Sequence, residues 1–320
     1  MPEMSVRALI LALCVPLALA GTAVAAPRDL PPVCGKGCVV AKAGTGSLFL
    51  FSGHGFGHGI GMSQYGAQGY ALQGATYQQI LQHYYPGTTL GQTNATLIRV
   101  LLADGRRSLK IACSMPFSVT DGNGVTHQLA AGAVTLGPKL LVNGQALPAP
   151  LTFNAGAGGW MTLTRPYRGQ IQVDVVDGKL RAINVVGLES YLFGVVPAEM
   201  PSTWTTPALE AQAIASRSYA LATRQVAAPF DIYADTRSQE YLGVSHETTA
   251  TTAAVDATTG QVVMYGGKVA STYFFSSSGG ETDSIASAWG VAPVPYLVAV
   301  PDPWDTISPY HDWGPIAISA

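Results

Sequence analysis

The sequence predicts an α+β domain dominated by sheet, and three observations lead there. Between residues 97 and 196 short apolar-polar alternations follow one another, broken by turn signals at 121–124 and at Asp177-Gly178. An alanine-rich helical pattern opens near Pro207. Ahead of the sheet, glycine alternates with His54, Phe56, His58 and Ile60, and two short helical patterns follow.

In chain order, residues 1–26 read as a secretory signal peptide. Arg7 precedes an apolar stretch at 8–20, and Ala23, Val24 and Ala25 offer a small-residue cleavage site. That stretch falls short of the roughly 20 apolar residues a membrane helix needs, so cleavage and no stable membrane span are expected. Residues 27–45, rich in proline, glycine and small side chains, read as a linker. Cys34 and Cys38 bracket Gly-Lys-Gly and can close a small disulfide loop in an oxidising compartment, while Cys14 leaves with the signal. Cys113, within the alternating run LKIACSMPFSV, reads as a buried small hydrophobe.

Composition narrows the partners. Charged residues make up 11% of the 320, the formal net charge is -2 and no run of lysine or arginine occurs, which argues against nucleic acid. The 14 tyrosines, with abundant hydroxyl and amide side chains, suit a neutral polysaccharide, held by ring stacking and hydrogen bonds.

Residues 46–92 form the next unit. A strand at 48–51 leads into GHGFGHGIGMSQYGAQG, whose glycine density permits close backbone approach and positive φ. His54 and His58 have the spacing of a helical metal pair, but that much glycine disfavours a helix, and no metal or other cofactor is expected. Helices are predicted over 65–72 and 76–85. Thr76 caps the second, which stops at Pro86-Gly87 and buries Ile80, Leu81, Tyr84 and Tyr85.

Residues 191–224 carry the chemical interest. The apolar run 191–196 is predicted as a strand ending at Pro197, which leaves Glu199 between two prolines and beside a helix with Thr206 as cap and Pro207 at its first position. Packed against Val195, Val196, Met200 and Trp204, the Glu199 carboxyl would be desolvated, raising its pKa toward that of a general acid; the alternative is a solvated turn glutamate.

The stretch YLFGVVPAEMPSTW with ALEAQAIASRSYAL resembles the core of the SpoIID/LytB family of bacterial cell-wall proteins. The resemblance extends to GHGFGHGIGMSQYGAQG, TGQVVMYGGKVASTYFFSSSGGETDSIASAWG and PYLVAVPDPWD, most of residues 50–315. It implies a SpoIID-like domain over 93–320, with 46–92 as a permuted part of it, since in many family members the GHG segment comes last. Its sporulation branch implies a peptidoglycan lytic transglycosylase with Glu199 as catalyst. Its LytB branch implies a wall-binding enhancer of a cell-wall amidase.

The resemblance also places Arg217 and Tyr219 on the helix bordering the cleft, and adds His54, His58, Ser63 and Gln64 from the glycine loop as contacts. Gln239 and Tyr241 lie where some relatives bind zinc through cysteines and a histidine. No cysteine follows Cys113, so that metal site is not carried over. Ser277 and Ser278 suit sugar hydrogen bonding better than nucleophilic attack, having no histidine nearby in sequence. A hydrolase would need a second acid from Asp231, Asp235 or Glu240. The final residues 316–319 alternate like a strand just beginning, which suggests an incomplete C-terminal end.

Overall fold

The computed structural model describes residues 48–319. The signal, the linker and the Cys34/Cys38 loop lie outside them. Within this range the protein is α+β and rich in strands, as expected.

The main sheet has seven strands in the spatial order Ile232–Tyr233, Leu97–Arg106, Lys179–Gly187, Gln170–Val176, Leu151–Asn154, Phe117–Thr120 and Thr126–Leu129. All neighbours are antiparallel except Ile232–Tyr233, which runs parallel to Leu97–Arg106 at the edge. Turn chemistry sets the registers. Asp177 and Gly178 both have positive φ, 50° and 70°, which gives the two-residue turn joining Gln170–Val176 to Lys179–Gly187. At 121–124 Asp121 accepts from the amides of Asn123 and Val125 and closes the hairpin between Phe117–Thr120 and Thr126–Leu129. A four-stranded sheet with Leu109–Cys113 at its centre packs into the same core, and Cys113 is free and buried there.

Among the described residues six α-helices accompany the sheets: α1 (Gln64–Leu72), α2 (Tyr77–Tyr84), α3 (Leu188–Glu199), α4 (Thr206–Thr223), α5 (Thr249–Ala257) and α6 (Ile285–Trp289). Helices α1 and α2 match the predicted pair. Ser63 caps α1 through the Gly66 amide, and Thr76 with Gln79 forms a reciprocal capping box on α2.

Two expectations are corrected. Residues 191–196 are not a strand but the middle of α3, which buries Leu188, Tyr191, Leu192, Val195 and Val196. Those positions follow the 3, 4, 7, 8 spacing of one helical face, and the face becomes visible only when Leu188 is included. Pro197 lies inside the helix and has no N–H to give to the Phe193 carbonyl one turn back. The cap of α4 is Thr205 rather than Thr206, and Pro207 falls inside the first turn.

Helix α4 is buried nearly all round because it divides two cores. Ala213, Ala220 and Leu221 face the core of the seven-stranded sheet. Ala208, Leu209, Ala211, Ile214 and Ala215 face a second core, which contains Ile60, Met62, Ile80, Leu81, Tyr84, Tyr85, Leu297 and Val300. Residues 60–85 and 285–300, far apart in sequence, meet in that second core. Leu48–His54 pairs antiparallel with Asp312–Ser319, Met62–Ser63 lies parallel to Phe274–Phe275, and Thr89–Gln92 pairs with Gln261–Tyr265. The alternating run at 316–319 therefore lies in a paired strand.

Candidate active site

Central strand Lys179–Gly187 runs directly into α3, with the Leu188 amide donating to Thr96 O at 3.0 Å. The helix carries Glu199 at its last position, where the φ-restricted Pro201 and the buried Met200 turn the chain toward α4. Facing it, the segment 239–243 lies along α3. The Leu242 amide donates to Gly194 O at 3.2 Å, and Gly194 is required there, because a Cβ would meet the Tyr241 ring at 2.8 Å. This close approach brings the Glu240 amide to the Glu199 carboxylate, donating to Oε1 at 2.8 Å.

Burial pushes the Glu199 carboxyl up to about 7; the Glu240 N–H opposes that, and the nearby Glu240 carboxylate adds to it. Glu199 as a residue is half-buried, and crowding around its carboxyl disfavours the charged form. Tyr191 and Tyr219 stand close enough for the Glu199 charge to raise both phenols further, although burial is the larger cause for each.

The glycine loop reaches this site. Gly55, Gly57, Gly59 and Gly61 all have positive φ, between 72° and 122°, so the alternating glycines allow a path that side-chain-bearing residues would resist. The loop ends in Ser63 and Gln64, and Gln64 Nε2 donates to the backbone carbonyl of Glu199 at 2.9 Å and lies 3.4 Å from Gln212 Oε1. Through Gln64 the end of the glycine-rich segment therefore touches Glu199.

Other expected residues lie elsewhere or play other parts. Arg217 is fully buried and is not brought to Glu199. It pairs with Glu189 of α3, Nε donating at 3.0 Å, and donates from Nη1 to Gln261 O at 3.1 Å. No room is left for it to meet a ligand, because the polar end of a long side chain at an inward position of α4 needs a buried partner. Tyr219 packs edge-on against Tyr273 at 5.6 Å. Gln239 is buried, its Oε1 accepting from Tyr191 at 3.1 Å while its Nε2 has no partner within the protein. Tyr241 donates to Asn184 at 2.9 Å.

Ser63 and Ser277 turn away from the cleft and donate to the buried Asp305 at 2.9 and 2.8 Å; Ser278 donates to Asp302 at 2.8 Å. The Gly279 amide and His311 complete the shell of Asp305, and Tyr84 donates to Asp302 at 2.8 Å. Burial raises Asp302 to about 6. This hub ties the glycine loop to the PDPWD segment, and its acids were missed because nothing in their spacing marks them as partners of serines more than twenty residues away.

His54 pairs at the surface with Asp312 at 2.6 Å, whereas His58 sits among Tyr273, Phe275 and Trp289 and is driven down to about 4 by burial. The two histidines do not converge, and no cluster of three or more possible metal ligands occurs among the described residues.

Of the candidate second acids, Asp231 is held by Arg99 at 2.7 Å and Asp235 by Arg237 at 2.7 Å. Glu240 is left, its carboxyl raised by burial and by Asp235. Sequence reading did not single out Tyr191, hidden in an apolar run, or the Glu240 amide, since backbone donors have no signature.

A strand-delivered helix that ends on one desolvated carboxyl is thus the centre of this α+β domain. Residues 176–265 match the family model described as stage II sporulation protein, SpoIID, and so show the resemblance read from the motifs. The chain is 34% identical over 148 residues to stage II sporulation protein D of Bacillus subtilis, covering 41% of this chain and 43% of that protein. It is 35% identical over 114 residues to the amidase enhancer of the same organism, covering 36% and 15%. An uncharacterised protein of Brachyspira hyodysenteriae is 37% identical over 137 residues, covering 42% and 37%. The chain thus spans less than half the length of each of these relatives.

Proposed function

We propose that the protein acts at the bacterial cell wall, outside the cytoplasm, as a lytic transglycosylase on peptidoglycan glycan strands. The observation that carries this reading is the single Glu199 carboxyl, raised to about 7 at the end of α3 and supported by one backbone donor. A group with that pKa is half protonated near neutrality and serves as acid and then as base. Glu199 gives its proton to the glycosidic oxygen as the bond from muramyl C1 breaks, and its carboxylate then steadies the oxocarbenium-like centre. The same sugar's C6 hydroxyl attacks C1, its proton returns to Glu199, and a 1,6-anhydro ring closes. The leaving strand keeps the first proton, no water is consumed, and no second carboxylate is required. Most glycosidases, by contrast, depend on a pair.

Glu199→Gln preserves shape and removes the titrating proton, so anhydro-ended products should vanish from mass spectra of digested glycan strands while the melting curve stays cooperative. Wild-type product yield from the variant sinks the assignment. Wild-type activity should fall as pH rises through about 7, the range in which the acid loses its proton. Stability has the same sign. The folded pKa exceeds that of the unfolded chain, so the stabilising contribution is complete below about 4.5 and is lost as pH rises through 7, relative to Glu199→Gln by up to roughly 3 kcal/mol.

The match to an amidase enhancer favours a second reading, in which the domain binds wall and stimulates a cell-wall amidase without cutting glycan. In that case Glu199→Gln leaves the stimulation intact and no anhydro product forms from the wild type.

A further inference from the structure

Across the segment 239–241 from Glu199 lies a second concavity of ≈ 570 Å³, within the roughly 300–1,000 Å³ usual for ligand sites. It opens between the edge of the main sheet at 101–106, the arm bearing Arg165 and Tyr167, and the loop 230–242. The wall between the two sites is thin. Glu240 gives its amide to Glu199 at 2.8 Å while its side chain lines the cavity, and Tyr241 lines the cavity with its ring 4.9 Å from that of Tyr191. The two sites are therefore neighbours that share the segment 239–241.

The lining selects against net charge. Arg106, Arg165 and Arg237 are balanced by Asp104, Asp235 and Glu240. Arg237 and Asp235 hold each other through bonds of 2.8 and 2.7 Å, with the guanidinium 3.9 Å above the Tyr233 ring, so this corner is rigid. Arg106 and Arg165 form no ion pair among the described residues and offer several free donors, and Glu240 offers acceptors. Phe230 meets Tyr233 edge-on at 5.1 Å and supplies an aromatic surface. Planar donors and acceptors around an aromatic surface match a pyranose ring, which presents neighbouring hydroxyls at its edge and C–H groups on its face.

We propose that this cavity is a second saccharide subsite, holding a neutral sugar unit of the strand away from the bond at Glu199. It rests on the glycan reading above and adds that the protein grips its strand at two places. The subsite makes affinity depend on strand length, and it explains a built cavity whose polar groups have no task in bond cleavage.

The test is calorimetric titration of the Glu199→Gln protein, which cannot turn ligand over, with β-1,4-linked N-acetylglucosamine oligomers of increasing length. Affinity should rise about tenfold or more once the oligomer spans both sites. Arg165→Ala and Phe230→Ala should each remove that gain while leaving short-oligomer affinity unchanged, and Arg106→Gln provides a third probe should either variant melt early. Absence of any length effect, or equal loss for short and long oligomers in all three variants, overturns the subsite and leaves the glycan reading standing. No binding at any length overturns the glycan reading itself. Tighter binding of a charged wall peptide than of the long oligomers shows that the cavity belongs to a different ligand.

Discussion

Enclosure of the Arg217 guanidinium by Glu189, Gln261 and the surrounding helices makes it a fastener between α3 and α4, and so sets where α3 delivers Glu199. Arg217→Ala leaves the Glu189 carboxylate without its buried counter-charge and should cost about 3–5 kcal/mol in denaturant unfolding. If the remaining folded protein turns over at the wild-type rate, the role is structural; a large fall in kcat with unchanged stability would return Arg217 to the cleft. Keeping this cation on Glu189 also protects the chemistry, since a guanidinium beside Glu199 would lower the pKa that the proposed acid step needs. Single residues of this kind are the least legible in sequence. A helical arginine between small residues looks the same whether it faces a ligand or a buried glutamate, and Ser277 and Ser278 look alike whether they hold a sugar or a buried aspartate.

At the scale of the element, Gln64 heads α1 and joins the glycine loop to the end of α3 through one amide bond to the Glu199 carbonyl. Gln64→Ala removes that bond without opening a large cavity. It should lower kcat by on the order of tenfold, as one hydrogen bond of about 1 kcal/mol allows, with KM and melting temperature little changed. An unchanged kcat would limit Gln64 to packing. Elements whose ends have local chemistry were readable in sequence, including the Asp177-Gly178 hairpin, the Thr76-capped α2 and the Pro207 start of α4. Helix α3 was not. Its apolar face at Leu188, Tyr191, Leu192, Val195 and Val196 starts directly at the end of a strand, with Gly187 as cap and no side-chain cap bond, so six consecutive apolar-looking residues resemble more sheet. The contribution of segment 239–243 was equally hidden, because it rests on the absent side chain of Gly194 and on a backbone amide.

Over the whole molecule, the α+β class and the resemblance were legible, whereas the meeting of Ile60 and Met62 with Leu297 and Val300 in the second core was not, since contacts at separations above 200 residues have no local trace. Asp302 and Asp305 receive Tyr84, Ser63 and Ser277 from afar. A chain stopped at residue 300 should therefore lose order in residues 48–92 while the sheet between 97 and 187 stays folded. Limited proteolysis checks this, and equal protection of both regions would show that the hub is dispensable. The paired ends also impose a timetable. Among the described residues, the glycine loop and its two helices are made early, whereas the strand that meets Leu48–His54 is made late. Loop closure over such a span is slow, and the waiting segment carries exposed apolar side chains such as Phe49 and Phe51 throughout. The pairing of Leu48–His54 with Asp312–Ser319 thus has to wait until nearly every residue described here has been made.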